Sequence, residues 1–317
     1  MSDPIVPLFS LVNGEGAGAL LAAAAGDVAG GASPLGYSAL TQQATVVSYH
    51  LLVRNGISGP DLANEWAELG ADGTNPTVFR TASPEFEEWL AGVNTPTQRR
   101  VRRPDCEPAA RAFPIGIWFR RDPSNLVTAA LEVSRLTHMD ATTAVATAAL
   151  AGAMAASAFG QTGMDFLAAV REIAEVASAR VVNETEGFVD AAALPGFVDQ
   201  LSDLKAAGGV EELGPPGPNW VSAAIRLAAD ASSDPAGQIS RAVQLGGSML
   251  GTMVGGLVGA RAGLRAWPWA VPNSTWFAEL GVRLVSGKRE VLDLPVPYYV
   301  EETLTYGIER DLGRPFG

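Results

Sequence analysis

Cysteine occurs once, as Cys106, so no internal disulfide can form and the chain suits a reducing compartment. Histidine occurs only as His50 and His138, which leaves few groups able to activate that thiol, and Cys106 reads as a small buried or loop residue rather than a nucleophile. Positive charge is also scarce. With 22 Lys and Arg against 34 Asp and Glu the formal net charge is −12, a field that repels phosphate polymers, so no nucleic-acid partner is expected. The composition shift of a flexible linker is missing, and the chain is expected to form one helical domain over residues 1–287, with residues 288–317 as a C-terminal extension packed on it. Alternating strand patterns are scarce as well, which leaves helices to build the core.

The small-residue run Ala17 to Ala32 lacks the basic flank of a secretory signal, because Asp3 and Glu15 precede it. A cytoplasmic location is the expectation. A second uncharged run, AVQLGGSMLGTMVGGLVGA (Ala242 to Ala260), carries Gly247, Gly251, Gly255 and Gly259 at intervals of four. Gln244, Ser248, Thr252 and the glycines dilute its apolarity, so it reads as a buried helix in close backbone contact with its neighbours and not as a membrane span.

Helix punctuation recurs along the chain. Ser58 to Pro60 opens and Gly70 closes one segment, Ser83 and Pro84 open and Gly92 closes the next, and Asp122 with Pro123 opens a third. Asp140 caps a long run of small apolar residues that predicts a central helix. Further helical patterns cover Asp165 to Val182, Trp220 to Ala231, Pro235 to Leu245 and Ser274 to Val285. Three stretches read as non-helical: Asn94 to Phe113, with Arg99, Arg100, Arg102 and Arg103; Phe188 to Asn219; and the tail from Lys288, with short β-like runs. The fold class is all-α, a compact many-helix orthogonal bundle.

Five segments matter by their order: GALLAAAAGDVAGG (Gly18 to Gly31), LTQQATVVSYHLL (Leu40 to Leu52), EPAARAFPIGIW (Glu107 to Trp118), SRLTHMD (Ser134 to Asp140) and SRAVQLGGSMLGTMVGGLVGARAG (Ser240 to Gly263). The series resembles the ADP-ribosylglycohydrolase family, with its Gly-Asp helix, Thr-Asp-Asp-Thr, Met-Arg to Pro-x-Gly, Thr-His and Gly-Gly-Asp-Thr-Asp-Thr segments in the same order. The resemblance implies an all-α fold and a cavity for ADP-ribose. It also implies two divalent ions that help cleave the glycosidic bond joining ADP-ribose to its acceptor. Here the Thr-Asp-Asp-Thr positions hold Thr41, Gln42, Gln43 and Ala44, and the Gly-Gly-Asp-Thr-Asp-Thr positions hold Gly246, Gly247, Ser248, Met249, Leu250 and Gly251. The family's early acidic residue falls near Pro34. Paired hard dications need several anionic oxygen ligands, so neither a metal site nor another cofactor is expected.

What the resemblance leaves is the cavity. Thr41, Gln42, Gln43, Arg111, Gly246, Gly247 and Ser248 are the candidate ligand-binding residues, and an ADP-ribose-like or nucleotide small molecule is the candidate ligand. A helix start near Gly246 and Gly247 could receive a diphosphate or ribose oxygen. The four arginines could lie over the cavity mouth as diphosphate partners, or form a solvated loop. Three functions stay open: a pseudoenzyme that binds such a ligand or a protein partner of unspecified kind, a metal-independent enzyme acting on a nucleotide or other polar small molecule, and a structural protein whose cavity is filled by Met249 and Leu250. The enzyme reading needs an acid–base pair, for which Asp27, Asp105, Glu107, His138 and Asp140 are the candidates. No membrane partner is expected.

Overall fold

The computed structural model describes residues 14–31, 33, 36–71, 78–93, 95, 98–183, 188–204, 213–230, 234–266 and 271–287. Pro34 and the C-terminal extension 288–317 lie outside the described residues. Among the described residues, twelve α-helices run in chain order: α1 (Gly14–Ala29), α2 (Ala39–Arg54), α3 (Gly59–Ala71), α4 (Pro84–Gly92), α5 (Glu107–Trp118), α6 (Pro123–Thr137), α7 (Ala141–Ala158), α8 (Gly163–Asn183), α9 (Leu194–Ser202), α10 (Pro218–Ala229), α11 (Pro235–Ala262) and α12 (Ser274–Ser286). The same residues form no strands, only three isolated β-bridges.

Local chemistry starts these helices where the sequence places a cap. Ser83, Asp122, Asp140 and Asp234 each accept a backbone N–H of the following first turn, and at α4, α6 and α11 a proline follows the cap, where its missing N–H costs nothing. The Ala-rich α7 is buried along almost its whole length and packs against α5, α6 and α8, which makes it the axis of the bundle. Among the described residues two helices, α7 and α11, are long and apolar enough to cross a membrane, and most of each apolar window is buried inside the protein.

A seam of glycine joins α1 to α11, the most extensively packed helix pair. Along the antiparallel pair, Gly18 faces Gly259, Ala22 faces Gly255, Gly26 faces Gly251 and Gly30 faces Ser248. At Gly18, Gly26, Gly255 and Gly259 an added methyl would overlap the backbone of the opposite helix, so the four-residue spacing is what lets the two backbones touch. Gly16 of α1 and Gly281 of α12 repeat the device on the other side.

Helix α11 breaks once. Gly246 and Gly247 leave helical geometry, and Gly247 adopts φ 57°, ψ −148°, a conformation open essentially to glycine. The break frees the second half of α11 to lie flush along α1. Ser248 fixes it there by donating from Oγ to the Asp27 carbonyl at 2.9 Å.

Two stretches expected to be irregular contain helix. Helix α5 starts at Glu107, within the segment read as loop, and carries Pro114 internally; burial of nearly every α5 residue against α7 and α2 outweighs the lost backbone hydrogen bond. Helix α9 lies within the Phe188 to Asn219 excursion and buries Leu194, Phe197 and Leu201.

Candidate functional site

Asp27, the last buried residue of α1, is the hub of the first of two buried polar clusters. Its Oδ2 accepts three hydrogen bonds, from the Ser38 amide (2.8 Å), the Ser38 hydroxyl (2.9 Å) and the Thr41 hydroxyl (2.8 Å). Its Oδ1 is buried without a hydrogen-bond partner. Burial pushes the carboxyl above its ordinary range, and the donors from Ser38 and Thr41 only partly oppose this. Ser248 bonds the carbonyl of the same residue, so Thr41 and Ser248 meet around Asp27 from α2 and α11. Leu250, two residues on, is a core side chain with no exposed area.

Gln42 and Gln43 are neighbours in sequence but serve different partners, as residues about 100° apart on a helix must. Gln42 Oε1 accepts the Arg80 amide at 3.1 Å and anchors the segment that leads into α4. Gln43 is the entry to the second cluster. Its Oε1 accepts Arg111 Nη1 at 2.9 Å and its Nε2 donates to Glu107 Oε1 at 3.2 Å, which fixes the orientation of the amide. Glu107 Oε2 accepts the Ser83 hydroxyl at 2.6 Å, and Glu107 Oε1 lies 3.6 Å from Arg111 Nη1.

Arg111 has no exposed area, and its guanidinium lies over the Trp66 ring at 5.0 Å and near Phe86 at 5.8 Å. Burial pulls its pKa down to about 10, with the charges of Glu107 and Asp105 opposing, so the group stays cationic at neutral pH. Its Nη2 donates to the Thr137 hydroxyl. A hydroxyl that accepts from a guanidinium has its own proton free to give, and Thr137 Oγ1 lies 2.8 Å from His138 Nδ1. Thr137 therefore donates to Nδ1, which puts the ring proton of a neutral His138 on Nε2, 3.8 Å from Asp105 Oδ2. Burial pushes the Asp105 carboxyl up, but His138 and the amides of Glu107 and Cys106 outweigh it and hold the group below its ordinary range.

Backbone stitching sets the position of this second cluster. Val101 bridges to His138, with Val101 N donating to Thr137 O and Met139 N to Val101 O, both at 2.7 Å; Val189 N donates to Met139 O at 2.7 Å on the other side. Asp140 is spent at the end of that stitched segment, where its Oδ1 caps α7 through the Thr143 amide at 2.7 Å. Among the candidate acids and bases, His138 and Asp105 face each other, Glu107 faces Arg111, and Asp27 and Asp140 each serve a helix end or turn. Cys106 is buried, and burial together with the Asp105 charge raises its thiol well above the ordinary range. His50 accepts the Ser58 amide on Nε2 at 3.2 Å and meets Glu65 through Nδ1 at 2.9 Å, joining α2 to α3.

Of the arginine loop, Arg103 pairs with Glu85 and lies 3.9 Å from Asp105, Arg100 lines a separate cleft, and Arg99 and Arg102 are not buried. Sequence reading missed Ser38, Arg80 and Ser83 as polar partners of the clusters. Ser83 was visible as a cap, and nothing local connects it to Glu107.

An all-α bundle with its polar residues gathered at the α1–α2–α11 and α2–α5–α6 junctions defines the class to which comparison then assigns the chain. The ADP-ribosylglycohydrolase family model matches residues 15–293, and the chain belongs to that family. A solved structure described as an ADP-ribosylglycohydrolase-related protein complex is similar over 87% of this chain and 99% of that one, with a TM-score of 0.62 at 19% identity, a likeness of fold. Among curated proteins none matches in sequence.

Proposed function

We propose that this member of the family does not assemble the two-metal hydrolytic centre and acts as a pseudoenzyme, binding an ADP-ribosyl or nucleotide-type ligand, or a protein partner, in the inherited cavity. The observation that carries the reading is the Gln43 amide held between Glu107 and the fully buried Arg111 guanidinium. A pair of dications needs several anionic oxygens. The positions that the family resemblance sets at the metals supply the hydroxyls of Thr41 and Ser248, the amides of Gln42 and Gln43, and the buried hydrocarbon of Leu250. The hydroxyls and amides among them already bond protein groups. Asp27 brings one carboxylate, disfavoured as an anion by its burial. Among the described residues no three His, Cys, Asp or Glu side chains come together as a metal site. These residues do not fit two divalent ions.

One observation favours the enzyme alternative enough to keep it. Arg111 and Thr137 orient the His138 imidazole, whose unpartnered Nε2 lies 3.8 Å from the Asp105 carboxylate, itself 13% exposed, a pairing that a metal-independent acid–base reaction would use. Calorimetry with ADP-ribose, with and without a chelator, together with an assay for ADP-ribose release from ADP-ribosyl-arginine and ADP-ribosyl-serine peptides, separates the readings. The pseudoenzyme reading expects binding that ignores the chelator and no turnover. Metal-stimulated turnover of about 1 s⁻¹, within the span of competent enzymes, would overturn it. Chelator-resistant turnover lost in Asp105→Asn would favour the alternative.

A further inference from the structure

Three chain segments lie side by side at His138, joined by parallel bridges from Val101 to His138 and from Asp140 to Val189. Val101 spends its amide and carbonyl inward, donating to Thr137 O and accepting from Met139 N. In extended chain the residue on either side directs its own amide and carbonyl the opposite way. Arg100 and Arg102 therefore turn theirs outward, and neither has a backbone partner among the described residues. Both residues are exposed, so the segment is the open edge of a small three-stranded patch. A turn in which Gln98 N donates to Thr95 O marks its start, and Pro104, which has no amide proton, marks its end.

Three arginines line this edge in a protein of net charge −12. Arg99, Arg100 and Arg102 are exposed and make no ion pair among the described residues. Arg103 alone of the four is committed, to Glu85, which ties down the far end of the segment. Charged side chains on an open edge discourage pairing with a neutral strand, and a second copy of this edge would set arginine against arginine. A nucleic acid offers phosphates but no ladder of amides and carbonyls, and it meets the field of the whole acidic chain. An acidic strand satisfies the free backbone groups and the free charges together.

We propose that the edge at residues 99–102 docks an extended acidic segment of a partner protein, which adds as a strand: its backbone pairs with Arg100 and Arg102, and its carboxylates meet the three guanidiniums. The docked strand lies outside the inherited cavity, and the proposal does not rest on what that cavity binds.

Fluorescence anisotropy on the full chain with labelled acetyl-Glu-Val-Glu-Val-Glu-amide, and with the same peptide N-methylated at every residue, tests the assignment. The parent should bind the plain peptide, more weakly as salt rises, and should not bind the methylated one. Arg100→Ser with Arg102→Ser should weaken binding by about tenfold, roughly threefold for each exposed ion pair lost. Arg102→Pro, which also removes the outward amide, should weaken it about fivefold more than Arg102→Ser, the weight of one hydrogen bond. Each substitution falls at an exposed residue outside the helices. Absence of binding by the plain peptide at millimolar concentration overturns the proposal, and so does equal binding of the methylated peptide, which would leave charge without a strand. Tighter binding of a short oligouridylate, lost in the double variant, would assign the arginines to nucleic acid and overturn it. A dimer seen by sedimentation and lost in Arg102→Pro would give the edge to a second copy of the chain and overturn it as well.

Discussion

The α1–α11 seam and the Arg111 cluster are both buried, and they are held by opposite means. In the seam, backbones touch because Gly18, Gly26, Gly251, Gly255 and Gly259 carry no side chain, and size alone decides whether a substitution fits. In the cluster, Gln43, Glu107, Arg111, Thr137 and His138 come from three helices and a connector, and hydrogen bonds between those elements hold the side chains. A seam fails by overlap, whereas a cluster fails by orphaned charge.

Breaking the cluster has the largest expected effect. Arg111→Met leaves Glu107 buried without its cation and should cost about 3–5 kcal/mol in urea denaturation. Adding Glu107→Gln should return part of that loss, because the remaining cost is an imperfect hydrogen bond and not a buried charge. A double variant as unstable as the sum of the two singles would mean that Arg111 and Glu107 do not depend on each other.

Gly255→Ala comes next. Its methyl overlaps the Ala22 carbonyl and should cost about 1–3 kcal/mol, in the range of overpacked cores. An unchanged melting point would mean the helices are further apart than the seam requires.

Asp27 gives a smaller, pH-dependent effect. Its folded pKa is raised, so the native state binds the proton more tightly than the unfolded chain; the stability this contributes is present below the unfolded value and is lost as pH rises through the folded one. Asp27→Asn removes a group whose ionisation the fold opposes. The melting temperature of the parent should therefore fall relative to the variant as pH is raised from the acid side. Parallel curves for the two proteins would contradict the burial argument. Smallest of all is Gly196→Ala on the exposed first turn of α9, where an added methyl meets nothing: a gain of about 0.4–1 kcal/mol is expected, seen as a slightly higher urea midpoint.

The same contrast explains what could be read from the sequence. The seam was legible because four-residue glycine spacing is a local pattern, and so were α4, α6 and α7, whose cap and proline signals lie within a turn of the helix they start. The Gly246–Gly247 break was anticipated as a turn or helix start, and the structure supplies its reason in the path of α11 along α1. Helix α5 was partly missed because the arginine-bearing stretch was read as loop through to Phe113, while the burial that overrides Pro114 comes from distant α7. Helix α9 is too short, at nine residues, for its apolar spacing to outweigh the surrounding glycines and prolines. The Arg111 cluster was legible only as a set of residue types. Gln43 bonds Glu107 and Arg111 across 64 and 68 residues, and no local pattern reports such a pairing.

The central claim is that the family's metal positions are committed here to holding the protein together. Dialysis of the full chain against a strong chelator, followed by calorimetric titration with Mn²⁺ and elemental analysis of the recovered protein, tests it most directly. No saturable heat, no retained ion and a melting temperature that ignores added metal are expected. Two equivalents of Mn²⁺ per chain, retained through gel filtration and raising the melting temperature by mass action, would contradict it.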